Sequence, residues 1–304
     1  MPDAASHLDD QVQPFHVDAL GVSGRLVRLG RLLDDVLAPH AYPPPVRSLL
    51  GQMVALGATL ASVLKYDGVF TLQAQGDGPV GLVMADITTA GGVRGYARFD
   101  AGRLAAAAAS TGAVVPALLG SGYLAFTVDQ GPDTDRYQGI TELTGATLAD
   151  CAHDYFRQSE QIETAIMLAY EDAAPAAGAI MVQRLPPKPG QSEEDAEECW
   201  RRAVILMSSL SPSELLDPGL GTHRLLHRLY HQDGVRVTEP RPLRHQCRCS
   251  RDRVARTLAS FPKAEIQDLA ENGNVTVTCE FCRKEYLFDE AEVEGLYDAV
   301  PPGP

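Results

Sequence analysis

Gln246-Cys247-Arg248-Cys249-Ser250 and Thr278-Cys279-Glu280-Phe281-Cys282-Arg283 bring four cysteines together as two close pairs, with 29 residues between Cys249 and Cys279. Two pairs separated by a helix-length spacer supply four thiolates to one tetrahedral zinc ion. No cysteine interrupts the spacer to confuse the pairing. The first pair is Cys-x-Cys rather than Cys-x-x-Cys. A disulfide closed over one residue is a tight ring, and strained disulfides are the labile, regulatory ones. The same four sulfurs therefore raise the question of redox switching.

Outward from the cysteines, a module begins near Arg244 and ends near Tyr297. Residues 251–258 and 265–271 read as helices, and Asn274-Val275-Thr276-Val277-Thr278 as a strand entering the second pair. A stretch of this length with so few large apolar side chains cannot bury enough surface to fold alone. A structural zinc contributes roughly 10–16 kcal/mol at neutral pH, and that energy becomes folding energy. Loss of the metal is expected to unfold the module.

The stretch before the module is helical. Leu185-Pro186-Pro187-Lys188-Pro189-Gly190-Gln191-Ser192 marks a boundary, its prolines ending any element. Glu193-Glu194-Asp195-Ala196-Glu197-Glu198 then opens a helix, with acids at the positive end of its dipole. Trp200, Ala203, Val204, Met207 and Leu210 form one stripe, and Leu215, Leu216, Leu225, Leu226, Leu229 and Tyr230 belong to further short helical pieces. Helices this short need a surface to cover.

Residues 11–185 read as an α+β region. Leu26 to Val36 is a short apolar segment, and Val46 to Lys65 has the spacing of a core helix. Residues 69–73, 81–85, 93–99 and 123–128 read as strands divided by glycine-rich turns, which predicts one mixed, largely antiparallel sheet. From Thr147 to Tyr170 the period returns to helical, and Ala179-Ile180-Met181-Val182-Gln183 closes the region as a strand. The predicted organisation is an N-terminal α+β core domain over residues 1–186, a metastable helical linker over 187–243 and a zinc and redox-switch module over 244–304.

The bulk composition narrows the function classes. Hydrophobic residues make up 45% of 304, ample for a core, and a net charge of −14 argues against nucleic acid as the main partner. Met1 to His7 is polar and acidic with no apolar h-region behind it, and the apolar stretch Leu104 to Leu119 is cut by Ser110, Thr111, Gly112 and Pro116. No membrane segment is expected. Six cysteines, four of them clustered, suit a reducing compartment, so a cytoplasmic location is expected.

Basic residues flank the cysteines: Arg244, His245, Arg248, Arg251, Arg253, Arg256, Arg283 and Lys284. They read either as solvated charges or as groups that keep thiolates ionised and reactive toward oxidants. On the second reading, oxidation joins Cys247 to Cys249 and Cys279 to Cys282, ejects zinc, unfolds the module and exposes apolar stripes on the middle helices. Cys151 reads as a buried small hydrophobe and Cys199, beside Trp200, as a site of secondary oxidation. His223, His227 and His231 recur at helical spacing and read as a solvated face. Trp200 and Tyr230 read as docking residues that could also meet clients. A zinc-ribbon nucleic-acid-binding or transcription-related protein is the alternative reading, weakened by the acidic total and the lack of interleaved aromatics. A thiol oxidoreductase lacks its βαβ context, and a zinc hydrolase lacks a His-x-Glu partner.

Several stretches resemble the redox-regulated chaperones called thirty-three-kilodalton heat-shock proteins. They are His227-Arg228-Leu229-Tyr230-His231, the run from Cys247 to Arg253, Val277 to Cys282, Leu64-Lys65-Tyr66-Asp67-Gly68, Leu72 to Pro79, Arg94-Gly95-Tyr96-Ala97 and Tyr155 to Gln161. The resemblance covers almost the whole chain. It implies an ATP-independent holdase rather than an enzyme, inactive when reduced and zinc-bound, active when oxidised and partly unfolded. It implies one Zn2+ per reduced chain on Cys247, Cys249, Cys279 and Cys282, the same four residues acting as redox sensors. Its partners would be unfolded or partly unfolded proteins, with room for a homodimer on activation, and neither nucleic acid nor membrane. One departure stands out: Arg283 follows Cys282 where the family usually has glycine.

Overall fold

The computed structural model describes residues 8–107, 113–131, 134 and 136–298. Met1 to His7 and residues 108–112 of the apolar stretch lie outside them. In chain order come strands β1 (Gln11–Val17) and β2 (Val22–Leu29), helices α1 (Arg31–Leu37) and α2 (Pro44–Ala61), then strands β3 (Val69–Gly76), β4 (Val80–Thr88) and β5 (Gly92–Phe99). Next are helices α3 (Ala101–Ala107) and α4 (Val114–Leu118), strands β6 (Gly122–Asp129) and β7 (Tyr137–Glu142), helix α5 (Leu148–Tyr155), and strands β8 (Thr164–Glu171) and β9 (Ala176–Arg184). Helices α6 (Glu193–Ser208), α7 (Pro212–Leu215) and α8 (Thr222–Tyr230) precede short strands β10 (Val235–Val237), β11 (Arg241–Pro242) and β12 (Arg244–His245). The chain ends with α9 (Arg251–Ala259), α10 (Lys263–Asp268), β13 (Asn274–Thr278), β14 (Glu285–Asp289) and α11 (Glu290–Asp298). This is an α+β protein. Contacts gather into two compact units, Met1–His245 and Gln246–Pro304.

The first unit holds two six-stranded sheets, not one. The first has the order β10-β1-β2-β9-β8, with β11 also on β1; the second has the order β12-β5-β4-β3-β6-β7. Pairing is antiparallel except where β12 joins β5 in parallel. Helix α2 explains how both sheets share one core. It starts on Pro44 and Pro45, residues suited to a first helical turn, and is buried almost all round. A Cβ at Gly51 would strike the Tyr170 ring of β8 at 2.6 Å, and one at Gly57 would lie 2.9 Å from Ile87 of β4. The two glycines let one helix approach both sheets.

Two readings of the sequence need correction here. The stretch from Thr147 to Tyr170 is not one helix. Helix α5 opens on a Thr147–Asp150 capping box, widens into a π-turn over Phe156–Glu160, and stops at Gln161, whose φ is +55°. Beyond it Thr164–Glu171 is strand β8, whose apolar run mimics a helical stripe. The second concerns β1, which sequence pattern does not indicate because Pro14 demotes a strand. Pro14 is tolerated because β10 pairs with Phe15–Val17 and β11 with Gln11 and Val12, leaving a gap between them. The fully buried Gln13 spans that gap, its amide donating to the Thr238 carbonyl at 2.7 Å.

Helices α6 to α8 lie on the face of the first sheet that α2 does not cover. Phe15, Val17, Val22, Leu26, Ile180 and Val182 from the strands meet Ala203, Met207, Leu210, Leu215, Leu226 and Tyr230 in one buried cluster. Val204, placed on the docking stripe by helical spacing, is only half-buried, and Ala203 and Met207 form the seam. Burial of side chains of this size is worth about 1.5–3 kcal/mol each, an upper estimate against a fully exposed reference. Polar contacts fix the register. Buried Arg28 of β2 donates to the carbonyls of Leu215 at 2.9 Å, Leu220 at 2.7 Å and Asp217. The Tyr230 hydroxyl donates to the Ala203 carbonyl at 3.2 Å. At the other end Arg184 of β9 joins Glu163, Glu193 and Glu197.

Candidate metal centre

The second unit is small. Its core consists of Leu258, Ile266, Val275, Tyr286, Phe288 and Val293, with Cys249 and Cys279 packed against it. Cys247 and Cys249 sit on extended chain just before α9. Ser250 caps that helix, its hydroxyl accepting from the Arg253 N–H at 3.2 Å, so the positive end of the dipole starts beside the first pair. Cys279 and Cys282 occupy the turn of the β13–β14 hairpin. There the Arg283 N–H donates to the Cys279 carbonyl and the Cys279 N–H to the Lys284 carbonyl, both at 2.9 Å.

The folding of these two segments brings the four sulfurs together. All four Sγ atoms lie within 4.8 Å of one another, Cys247 to Cys279 at 3.7 Å and Cys249 to Cys282 at 3.4 Å. Zn–S bonds of about 2.3 Å in a tetrahedron set sulfurs roughly 3.7–3.8 Å apart, so the donor set fits that ion in both chemistry and size. None of the four is in a disulfide. Burial, with three sulfurs as neighbours, pushes the Cys282 thiol up to about 12. Four thiolates cannot gather here without a compensating cation, and a divalent ion supplies that charge. Among the described residues this is the one cluster of three or more His, Cys, Asp or Glu placed to hold a metal.

A residue that the sequence reading passed over completes the surroundings. Tyr286 of β14 is buried, and its hydroxyl donates to Cys249 Sγ at 3.1 Å. That hydrogen bond, followed by burial, raises its own titration to about 12. The signal was present as the alternation Glu285-Tyr286-Leu287-Phe288-Asp289, in which Tyr286 and Phe288 are buried and the rest exposed. Arg283 adopts φ +57°, the left-handed region that glycine occupies without strain. Several flanking cations are engaged locally. Arg251 pairs with Glu292 at 2.6 Å and lies 4.3 Å from the Phe288 ring centroid, and Arg253 donates to the Arg248 carbonyl. Lys284 lies over the Tyr286 ring at 5.2 Å.

The other residues singled out lie in the first unit. Cys151 is fully buried in α5, and burial raises its thiol. Cys199 is half-buried on α6, its sulfur 3.7 Å from the Ala19 carbonyl. His223, His227 and His231 are exposed, although His223 meets the buried Gln13 amide at 3.1 Å and His227 stacks on His231. Trp200 packs on the seam beneath α6, and Tyr230 is fully buried in it.

A fold of this kind, carrying four convergent cysteines on a small C-terminal unit, is that of a chaperone family. The family model described as Hsp33 protein matches residues 10–289, and the chain belongs to that chaperone family. It is 44% identical over 292 residues to a 33 kDa chaperonin of Caulobacter vibrioides, covering 93% of this chain and 95% of the relative. It is 40% identical to a 33 kDa chaperonin of Ectopseudomonas mendocina, covering 95% and 96%. The crystal structure of a 33 kDa chaperonin from Thermotoga maritima matches with a TM-score of 0.74 at 22% identity, covering 95% of this chain and 98% of that one, which is a likeness of fold. No helix among the described residues is long and apolar enough to cross a membrane.

Proposed function

We propose that this chain is a redox-gated holdase that captures unfolding proteins without ATP, by binding rather than catalysis, in a cytoplasmic setting. The observation that carries the reading is the seam between α6–α8 and the first sheet. A short helical segment covers a continuous apolar face, and its departure would bare both surfaces at once. The working parts are the core domain, residues 1–186, the metastable linker, 187–243, and the switch module, 244–304.

In the reduced chain Cys247, Cys249, Cys279 and Cys282 would hold one Zn2+. When bound, that ion supplies the charge and cross-link that let a unit with six core side chains stay folded. Each pair of thiolates would give up two electrons to hydrogen peroxide, which takes two protons from solvent and leaves as two waters as the S–S bond forms. With both pairs oxidised no thiolate remains to hold the cation, and the module loses its fold. The linker then undocks and offers its apolar stripe, with Trp200 and Tyr230, to partly unfolded clients.

The test is to oxidise the zinc-loaded full chain and follow zinc release, hydrogen exchange over residues 193–230 and suppression of client aggregation together. All three should rise in step. Client holding by the reduced chain with slow exchange in the linker would overturn the reading.

A further inference from the structure

A cavity of the first unit lies at the C-terminal end of α2. It measures about 540 Å³, within the usual range for small-molecule sites. Val12, Ala58, Ala61 and Ile87 give it an apolar lining, the segment Pro240–Leu243 walls one side, and Lys65, Tyr66 and Arg241 complete it. No carboxylate lines it, in a chain whose net charge is −14. Arg241 and Lys65 are exposed, and the bond recorded for the Arg241 guanidinium is a 3.3 Å contact with the Ser62 carbonyl. Arg25 on β2 adds to the local positive charge. Its buried Nε has no hydrogen-bond partner, and it lies close enough to Arg241 for the two charges to repel. Cation pairs without carboxylates are unfavourable unless an anion joins them. The Tyr66 hydroxyl is committed to the Ile87 carbonyl at 3.1 Å, so it shapes the wall.

We infer that this cavity is a binding site for a small amphiphilic anion, an aliphatic chain ending in a carboxylate, with the chain against Val12, Ala58 and Ala61 and the carboxylate between Arg241 and Lys65. The charge pattern excludes a cationic amphiphile of the same length. The site also has a regulatory position in the chain, because one wall is the strap from Pro240 to Leu243, and Cys247 follows Leu243 by four residues. A ligand seated on that wall holds the strap to the sheet and therefore slows its opening.

Decanoate below its micelle concentration is the probe, titrated by calorimetry into the reduced, zinc-loaded full chain, with decyltrimethylammonium as the charge-reversed control. Decanoate should bind at one equivalent and slow hydrogen exchange across residues 240–245. The Lys65→Gln/Arg241→Gln double variant should bind it about tenfold or more weakly. Both side chains are exposed, so the variant's melting temperature in the absence of ligand should match the parent's. Equal binding of the two amphiphiles, or undiminished decanoate binding by the variant, would overturn the assignment. These readouts do not involve client holding, so they fail or succeed independently of the chaperone reading.

Discussion

The guanidinium of Arg28 donates to the main-chain carbonyl of Leu220 at 2.7 Å, across 192 residues of sequence. It is a charge 2% exposed, and the hydrogen-bond partners recorded for it are the carbonyls of Leu215, Asp217 and Leu220. A carbonyl-lined cage satisfies the donors of an arginine, and burial pushes Arg28 below its ordinary value although the carboxylates of Asp9 and Asp217 pull the other way. Arg28 thus rewards docking of α7 and α8 only while the whole cage is in place.

Replacement of Arg28 by Met removes the donors and orphans buried carbonyls, at about 1–3 kcal/mol for each one left dry. Hydrogen exchange over residues 212–230 should quicken in the reduced chain, and client holding should appear with less oxidant. Arg28→Lys keeps the charge without the fork and should fall between the two.

Met207 marks the seam more sharply than Val204, being 4% exposed against half-buried. Met207→Asp would bury an unpaired carboxylate beneath α6, whereas Val204→Asp leaves its charge near water. Client-holding assays on the reduced variants should show strong activity for the first and little for the second. Trp200 is the single tryptophan, and its emission should shift to the red in step.

Tyr286→Phe deletes the hydroxyl that donates to Cys249 Sγ at 3.1 Å while keeping the ring in the core. Loss of a hydrogen bond behind a metal ligand typically weakens affinity by about 10–100-fold. Chelator competition on the reduced chain should read that loss with little change in the fold of the first unit. Arg283→Gly should act in the opposite direction. It relieves a left-handed non-glycine backbone, φ +57°, and stabilises the module by up to about 1 kcal/mol.

Oxidation should join Cys247 to Cys249 and Cys279 to Cys282. Contacts at 3.7 and 3.4 Å run between the pairs in the folded site, yet rings closed over one or two residues form at little cost in chain entropy, which favours near neighbours. Peptide mapping that found mainly Cys247–Cys279 or Cys249–Cys282 links would contradict this pairing.

Alkaline pH offers a separate check on the cavity wall. Burial raises the Tyr66 phenol to about 12, above an unfolded value near 10. The neutral phenol is favoured in the folded chain, so its contribution is complete below about pH 10 and is lost as pH rises toward 12. The alkaline limb of a stability–pH curve should therefore be shallower for Tyr66→Phe.

The four-cysteine cluster was legible because its signal is local: two close pairs of cysteines flank one helix-length spacer. Strands β3, β4, β5, β6 and β9 and helices α2 and α6 were legible through their periods and turns. What escaped was set by tertiary context. Pro14 sits in a strand because its neighbours on one side are two short strands with a gap. The run from Thr164 to Glu171 is extended because β9 pairs with it, although its composition suits a helix equally well. Tyr286 matters because a hairpin turns its hydroxyl toward Cys249, a direction no spacing reveals. The close approach of α2 to both sheets relies on Gly51 and Gly57, whose missing side chains leave no hydrophobic signal.

Strand β1 lies near the beginning of the chain, yet its outer edge is finished by Val235–Val237 and Arg241–Pro242. During synthesis the first sheet therefore keeps an open edge until more than two hundred further residues have left the ribosome. The segments that close this edge are followed at once by Cys247 and Cys249. A nascent chain consequently acquires its finished sheet and its first cysteine pair almost together; on the proposed reading, the apolar face is covered only shortly before the means of uncovering it emerges.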